Sequence, residues 1–402
     1  MRTILYPEWI LDGSGASPLE RHAVVIDDGI IQAVTPGEVA ATAGDEVIRA
    51  PGVTLLPGLI NHHVHLVLPG DNSAFFEMND LSDATLALRS AQNADISLRA
   101  GVTSVRDCGG RQAIILDARN AQASGVFQGA RIVSCGWTIT ITGGHTRNFG
   151  GEADGPLALQ QMVRRLVSRG ADYIKVMASG GGTPGSLPAY PSFTVDELKV
   201  IVRTAHDLGK TVTTHCTCTA AIANAVEAGV DFIEHAMFTG PGGPSNYDPR
   251  VAESLAKSGI RVTPTLQVFR DLVDLLPPGA EHDGWQARRE AHEAQIAKLH
   301  DLGVPLMAGS DAGWRATRFD TFWKELDELV ICGLSPVEAV HAATGRTAEA
   351  LGLADRIGSV QMGRSADLLL VHGNVAEDIR CLQHVHSVYQ AGRPVVTPQE
   401  RA

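Results

Sequence analysis

Eight short apolar runs, separated by amphipathic stretches, fill the middle of the chain from about residue 57 to residue 350. This alternation is typical of βαβ units and predicts parallel strands with helices packed against them. Eight such units are the number that closes a (β/α)8 barrel, so we expect an α/β fold with a TIM-like barrel. The runs are LLPGLINHHVHL, VTSVRDC, ARIVSCGW, DYIKVMA, TVTTHC, DFIEHA, IRVTPTL and VPLMAGS.

The stretches between the runs carry the start signals of helices. Thr194 is followed three residues later by Glu197, which predicts a capping box and a helix that ends near Gly209. SPVE at 335–338 repeats the pattern, with proline at the first helical position. The two chain ends differ, because both consist of short β-type runs and turn pairs such as Asp28-Gly29. We therefore expect the two ends to join in one β-rich unit.

Composition excludes several classes of function. The 402 residues contain 33 Lys plus Arg against 45 Asp plus Glu, a net charge of −12, which would repel nucleic acid and anionic membranes. No stretch reaches the roughly 18 apolar residues of a membrane span, and the first residues form no uninterrupted apolar signal segment. A cytoplasmic enzyme with a small-molecule substrate is expected.

The six cysteines are too sparse for a disulfide framework, and they lack the C-x2-C spacing of a structural zinc site. HCTC at 215–218 resembles a metal cluster, but strand alternation places Cys216 on the face opposite His215. We therefore expect reduced thiols, with the HCTC cysteines packed in the core.

Polar side chains recur where the predicted strands end. The carboxyl ends of barrel strands meet at one rim, where barrel enzymes have their active sites. His63 and His65 share a strand face, whereas His62 is out of phase and is expected to face outward. Imidazoles and a carboxylate from several strand ends suit zinc, and are tolerated by manganese or iron. The candidate ligands are His63, His65, His215, His235 and Asp311.

Lys175 lies in the fourth run, and an ammonium cannot bind a metal cation. Beside a metal, a buried lysine can lose its proton, and the neutral amine can add carbon dioxide to become an anionic carbamate. The structural alternative is an ion pair with an acid such as Asp172 or Glu234. The histidines nearby favour the carbamate.

Over nearly its whole length the chain resembles the amidohydrolase superfamily, and within it the imidazolonepropionase-like and Xaa-Pro dipeptidase-like hydrolases. The segments that carry the resemblance are PGLINHHVHL, GVTSVRDCGG, DYIKVMASGGG, TVTTHC, GVDFIEHAMF, PLMAGSDAG and ADRIGSVQMGRSADLLLVHG. The resemblance implies a distorted barrel over residues 57–354. It also implies a β-sandwich composed of residues 1–56 and 355–402, two divalent metal ions, most simply zinc, and a homo-oligomer.

Residue by residue, the resemblance implies that His63, His65 and Asp311 bind one metal and that His215 and His235 bind the other. Lys175, as N6-carboxylysine, would bridge the two. It further implies that Asp311 takes the proton of the attacking hydroxide and passes it to the leaving amine.

His145, in TITGGHTR, matches a histidine with which similar dipeptidases contact substrate, although a loop histidine can equally face solvent. SGGGTPG at 179–185 is expected to be a mobile loop at the rim. Thr217 stands where related carboxypeptidase-type members tend to have a tyrosine for the substrate α-carboxylate. A threonine reaches less far, which weakens the case for a dipeptide substrate.

The function predicted is hydrolysis of a C–N amide bond in a small molecule, such as a dipeptide or an N-acyl amino acid. A lactonase or phosphotriesterase using the same metal pair is an open alternative. A mononuclear deaminase is disfavoured, because such members typically lack the lysine and have a glutamate where Cys218 stands. A non-catalytic scaffold is disfavoured by the intact ligand set.

Overall fold

The computed structural model describes residues 2–73, 75–244 and 246–397. Strands and helices alternate through the middle of the chain, whereas both ends consist mainly of strands. The strands are β1 (Thr3–Ile10), β2 (Leu19–Glu20), β3 (His22–Asp27), β4 (Ile30–Pro36), β5 (Glu46–Pro57), β6 (Leu59–Val64), β7 (Val102–Asp107), β8 (Arg131–Ser134), β9 (Ile174–Met177), β10 (Val212–Cys218), β11 (Phe232–Thr239), β12 (Arg261–Thr263), β13 (Leu368–His372), β14 (Val385–Gln390) and β15 (Arg393–Val396).

The α-helices are α1 (Asp83–Arg99), α2 (Ile114–Ala123), α3 (Gly155–Ser168), α4 (Val195–Asp207), α5 (Thr219–Ala228), α6 (Pro249–Ser258), α7 (Gln267–Leu275), α8 (Ala280–Asp301), α9 (Trp323–Ile331), α10 (Pro336–Ala342) and α11 (Gly345–Ala350). Short 3-10 helices cover Phe75–Asp80, Arg147–Phe149 and Ile379–Gln383. The expected capping boxes are present at the starts of α4 and α10. Within the described residues, no helix is both long and apolar enough to cross a membrane.

The two chain ends share one sheet, as the sequence predicted. Its strand order is β15-β14-β13-β5-β1-β3-β4, with β2 paired to β1. β13 lies antiparallel to β5, which joins the end of the chain to its beginning. The β1–β5 pair is parallel, however, so the sheet is mixed rather than antiparallel throughout. The domain boundaries at residues 57 and 355 stay predictions.

Parallel segments form a ring in the middle of the chain. β6, β7 and β8 make one parallel sheet, and β9 to β12 make a second. A bridge from Ile139 to Val176 links the first sheet to the second. Residues 304–312 close the other side, through bridges from Leu306 to Val262 and from Ala312 to Val64. Eight parallel segments therefore follow one another around a common interior.

The eighth predicted strand, VPLMAGS, is the exception, because it makes isolated bridges and no continuous strand. Pro305 has no N–H group for a ladder. Gly309 lies so close to β6 that a Cβ there would come within 2.8 Å of the His63 backbone nitrogen. The Asp311 N–H still donates to the His63 carbonyl at 2.8 Å, so the segment holds its place beside β6.

Candidate active site

One cavity of about 390 Å³ opens at the ends of the parallel segments. A cavity of this size is typical of small-molecule sites. It is lined by every residue for which the sequence predicted a functional role: His63, His65, His145, Lys175, His215, His235 and Asp311. The structure therefore brings together side chains from six segments of the chain. The two that are farthest apart in the sequence are His63 and Asp311, which are 248 positions apart.

His63 and His65 are held in defined tautomers by their Nδ1 atoms. His63 Nδ1 donates to Glu234 Oε2 at 2.8 Å, and His65 Nδ1 donates to the Gly109 carbonyl at 2.7 Å. The Nε2 atom of each ring lies 3.4 Å from Asp311 Oδ1. Three potential ligand atoms thus converge on one point.

His215 and His235 are oriented in the same way. His235 Nδ1 lies 2.7 Å from Thr265 Oγ1, whose own proton goes to the Pro264 carbonyl, so the histidine is the donor. His215 uses Nε2 instead, which donates to the Gly180 carbonyl at 3.1 Å. Lone pairs therefore remain on His235 Nε2 and on His215 Nδ1, and the two rings lie 4.5 Å apart.

The backbone is unusual at two of these positions. His235 has φ of +70° and Asp311 has φ of +59°, left-handed conformations that non-glycine residues rarely adopt. Such strain is concentrated at functional sites. A positive φ also interrupts the two-residue alternation, so the direction of these two side chains cannot be derived from strand phase alone.

Lys175 is fully buried, and its Nζ atom has no hydrogen-bond partner among the described residues. Neither of the acids considered for an ion pair provides one. Asp172 binds Arg119 at 2.8 Å, and Glu234 accepts hydrogen bonds from Arg106 and His63. An unpaired ammonium in such a place would be costly.

Glu234 and Arg106 form a buried ion pair beneath the candidate ligands, with 2.8 Å between Arg106 Nη1 and Glu234 Oε1. Burial would raise the pKa of Glu234, but Lys175, His63 and Arg106 hold it well below its usual value. Glu234 is therefore an anion that fixes the His63 ring. Arg106 interrupts an apolar run and so signals a buried charge, but the sequence predicts Glu234 only as an alternative partner for Lys175.

His62 does not face outward as predicted. Its Nδ1 lies 2.8 Å from Thr263 Oγ1 on β12, and its ring lies 5.3 Å from that of Phe232 on β11. Neither strand neighbours β6, so the ring reaches across the interior. The physical reason is a register shift between Asn61 and Val64 in the β6–β7 pairing, which breaks the two-residue alternation.

Cys216 packs in the hydrophobic core, as expected from its phase. Its neighbour Thr217 lines the cavity, but its hydroxyl group is engaged by the segment that follows β9. Thr217 Oγ1 lies 2.8 Å from Ser179 Oγ and 2.6 Å from the Pro188 carbonyl. Position 217 therefore holds this segment in place.

The glycine-rich segment 179–185 is packed tightly, which explains its composition better than mobility does. A Cβ on Gly181 would lie 2.6 Å from the His145 ring, and one on Gly182 would lie 2.5 Å from Trp314. Only residues without a side chain allow this approach. Gly181 and Gly182 form part of the wall of the cavity, and the mobility of the segment stays a prediction.

His145 is buried against this wall rather than exposed to solvent. Its Nδ1 lies 2.8 Å from Thr183 Oγ1, and its ring lies 4.6 Å from that of His215. Burial, with a further contribution from Lys175, lowers the pKa of His145 to about 3. The ring is therefore neutral at physiological pH.

The donor set fits divalent cations. Asp311 Oδ1 and Lys175 Nζ are buried without hydrogen bonds, and potential ligand atoms of His63, His235 and Asp311 lie within 4.8 Å of one another. Imidazole and carboxylate suit zinc. Burial alone would lower the pKa of His63, but Cys108, Asp311 and Glu234 raise it to about 10, so a proton competes with a cation for His63 Nε2.

Known proteins resemble this chain over most of its length. Ochratoxinase from Aspergillus niger is 28% identical over 427 residues, which cover 96% of this chain and 84% of that protein. Imidazolonepropionase from Chromobacterium violaceum is 24% identical and covers 89% and 87%. The crystal structure of a Xaa-Pro dipeptidase with bound methionine in its active site superposes with a TM-score of 0.87, at 27% identity, and covers 98% and 99%.

The model of the amidohydrolase family matches residues 54–395, most of the chain. Members of this family generally bind metal ions, which agrees with the unpaired ligand atoms in the cavity. This protein therefore belongs to the amidohydrolase family and is a hydrolytic enzyme that acts on carbon–nitrogen bonds.

Proposed function

We propose that this enzyme hydrolyses the amide bond of a small molecule of the dipeptide or N-acyl amino acid type, with two divalent metal ions. The observation that carries the proposal is the buried Lys175 Nζ, which has no hydrogen-bond partner among the described residues. It lies in one cavity with the candidate ligands His63, His65, His215, His235 and Asp311. The names of the relatives support the substrate class, since they include a Xaa-Pro dipeptidase.

In this proposal His63, His65 and Asp311 hold one ion, and His215 and His235 hold the other. Carbon dioxide would add to the Lys175 amine. A nitrogen–carbon bond forms, one carbon–oxygen π bond opens and one proton leaves, so that an anionic carbamate is available to both ions. Zinc is the expected metal, because the donors are nitrogen and oxygen atoms.

When bound at these residues, such a pair of ions would supply a nucleophile from water at neutral pH and polarisation of the substrate carbonyl. The residues of the chain do the rest. The Asp311 carboxylate accepts the proton of the attacking water and returns it to the amine that leaves. Burial raises the pKa of Asp311 although His63 and Lys175 oppose the shift, which favours its role as a proton acceptor. His145, as a neutral ring held by Thr183, orients the substrate through Nε2.

The architecture proposed with this function is a (β/α)8 barrel over residues 57–354, with a β-sandwich composed of residues 1–56 and 355–402. The assembly proposed is a cytoplasmic homo-oligomer, which light scattering of the purified protein tests.

The experiment combines metal analysis with a substrate panel. The protein purified without added chelator is expected to contain about two zinc ions per chain, and its carbamate should give a ¹³C signal after incubation with labelled bicarbonate. The zinc-loaded enzyme is then tested on dipeptides, N-acyl amino acids and lactones. Absence of stoichiometric metal, or turnover of lactones alone, would contradict the proposal.

A further inference from the structure

One face of helix α8 forms a wall of the cavity. Trp285, Arg288, His292 and Gln295 follow at intervals of three, four and three residues, which places them on one side of a helix, and all four line the cavity. His292 Nε2 donates to the His235 carbonyl at 2.8 Å, so this face is fixed to the strand that carries a candidate ligand. Arg288 lies one helical turn before His292.

Arg315 reaches the same region from the turn that follows Asp311. The Trp314 N–H donates to the Asp311 carbonyl at 3.1 Å, and the Arg315 carbonyl accepts from the Asn72 N–H at 2.7 Å. The Arg315 guanidinium carbon lies 5.4 Å from the centre of the Trp285 ring and 5.9 Å from that of Trp314. The Arg288 guanidinium carbon lies 4.8 Å from the centre of the Trp285 ring. Two guanidinium groups thus gather around one indole ring.

Both arginines lack an ion pair or hydrogen bond to a carboxylate within the part of the chain that the structure describes. This is unexpected in a protein with a net charge of −12. Partial desolvation by the surrounding protein lowers the pKa of Arg315, although the residue is exposed. The like charge of Arg288 adds to this effect, whereas Glu281 opposes it from beyond ion-pair distance. Asp311 is the sole acid in the described lining of the cavity, and it lies with the histidines.

We propose that Arg288 and Arg315 bind an anionic group of the substrate, most simply a carboxylate, at the outer end of the cavity. Both arginines are exposed, whereas the histidines and Lys175 are buried, so the two ends of the cavity differ in depth. Phe269 and the two tryptophans offer aromatic walls between these ends. The inference deepens the proposed function: the substrate is an amide with an apolar body and a free carboxylate.

The competing interpretation is that the arginines only stack on the tryptophans and stabilise the fold. Stacking alone gives no preference for a charged ligand, whereas a guanidinium–carboxylate contact does. A pair of ligands that differ only in the carboxylate therefore separates the two interpretations.

The binding experiment uses a pair of compounds that cannot be hydrolysed. The first is the ketomethylene analogue of N-benzoyl-L-phenylalanine, in which CH2 replaces the amide NH, and the second lacks only its carboxylate. Titration calorimetry of the metal-loaded enzyme should show that the carboxylate improves Kd by about 10-fold or more. The improvement should shrink in Arg288→Gln and in Arg315→Gln, and disappear in the double variant.

Arg250→Gln is the matched control, because Arg250 pairs with Asp248 on the surface and does not line the cavity. It should keep the wild-type ratio of the two Kd values. Melting temperatures of all variants are measured, so that a loss of fold is recognised. A ratio near one in the wild type, or an unchanged ratio in the double variant, overturns the inference.

Hydrolysis is measured separately as benzoate release from N-benzoyl-L-phenylalanine and from the same amide without its carboxylate. The inference expects kcat/KM to favour the acid in the wild type, and this preference to fall in the arginine variants. If the analogue binds with the expected dependence on the arginines but neither amide is cleaved, the proposed amidase activity fails on this class while the anion site stands.

Discussion

Gly181 lies so close to His145 that one methyl group added at position 181 should greatly lower the rate of hydrolysis. A Cβ at position 181 would lie 2.6 Å from His145 Cδ2 and Nε2, whereas carbon atoms normally approach to about 3.5–4.0 Å. The ring must therefore move by roughly 1 Å. It cannot move freely, because Thr183 binds its Nδ1 and the His215 ring lies 4.6 Å away. A displacement of this size can cost roughly 100-fold in rate.

Gly181→Ala should therefore lower kcat/KM for N-benzoyl-L-phenylalanine by roughly 100-fold while two metal ions remain bound. Gly284→Ala, in the second turn of α8, is the control, because a Cβ there meets nothing within 4 Å. Steady-state kinetics, metal analysis and melting temperature are measured together. A folded, metal-loaded Gly181→Ala enzyme with wild-type kcat/KM would refute the role of His145 in orienting substrate.

Three further perturbations test other parts of the site. Lys175→Met should lose bound metal and more than about 100-fold in kcat/KM, since the bridging anion is removed; full metal content in the purified variant would contradict this. Burial raises the pKa of Glu325 from 4.5 to about 8, although hydrogen bonds from the Gln267 and Leu266 N–H groups oppose the shift. Between these two pH values the folded state holds one more proton than the unfolded state, so the free energy of unfolding falls as pH rises. In denaturant unfolding, the free energy of unfolding of Glu325→Gln should therefore rise relative to that of the wild type between pH 5.5 and pH 8.5, by about 4 kcal/mol at most. Glu234→Gln leaves the buried Arg106 without its anion and should cost about 3–5 kcal/mol of unfolding free energy, part of which Arg106→Met should restore in the double variant.

The sequence was most informative where periodicity and strand ends determine position. Seven of the eight apolar runs contain strands of the ring. Each has enough β-branched or apolar residues to be buried on both faces of a parallel sheet. The candidate ligands were found because parallel segments end at a common rim, so residues far apart in sequence needed no pairwise prediction.

The errors have local causes. Alternation placed His62 outside, because a register shift cannot be read from residue order. Glycine content alone does not show how tightly positions 180–182 are packed, since the atoms that press on them come from distant segments. The interior ion pair was missed because a charged residue in a strand has no visible partner until the strands are arranged in space.

Charge balance in the interior links these observations. The Arg106 cation is neutralised by Glu234, and Glu234 also accepts from His63 Nδ1, which leaves His63 Nε2 as the ligand atom. Glu234 is thus engaged by Arg106 and His63, and Lys175 Nζ has no hydrogen-bond partner among the described residues. A chain that needed only stability would have an apolar residue at position 175, because an unpaired buried ammonium costs several kcal/mol. The lysine is explained if its amine becomes an anion between two cations, since one modification then removes both the unpaired charge and the repulsion of metal.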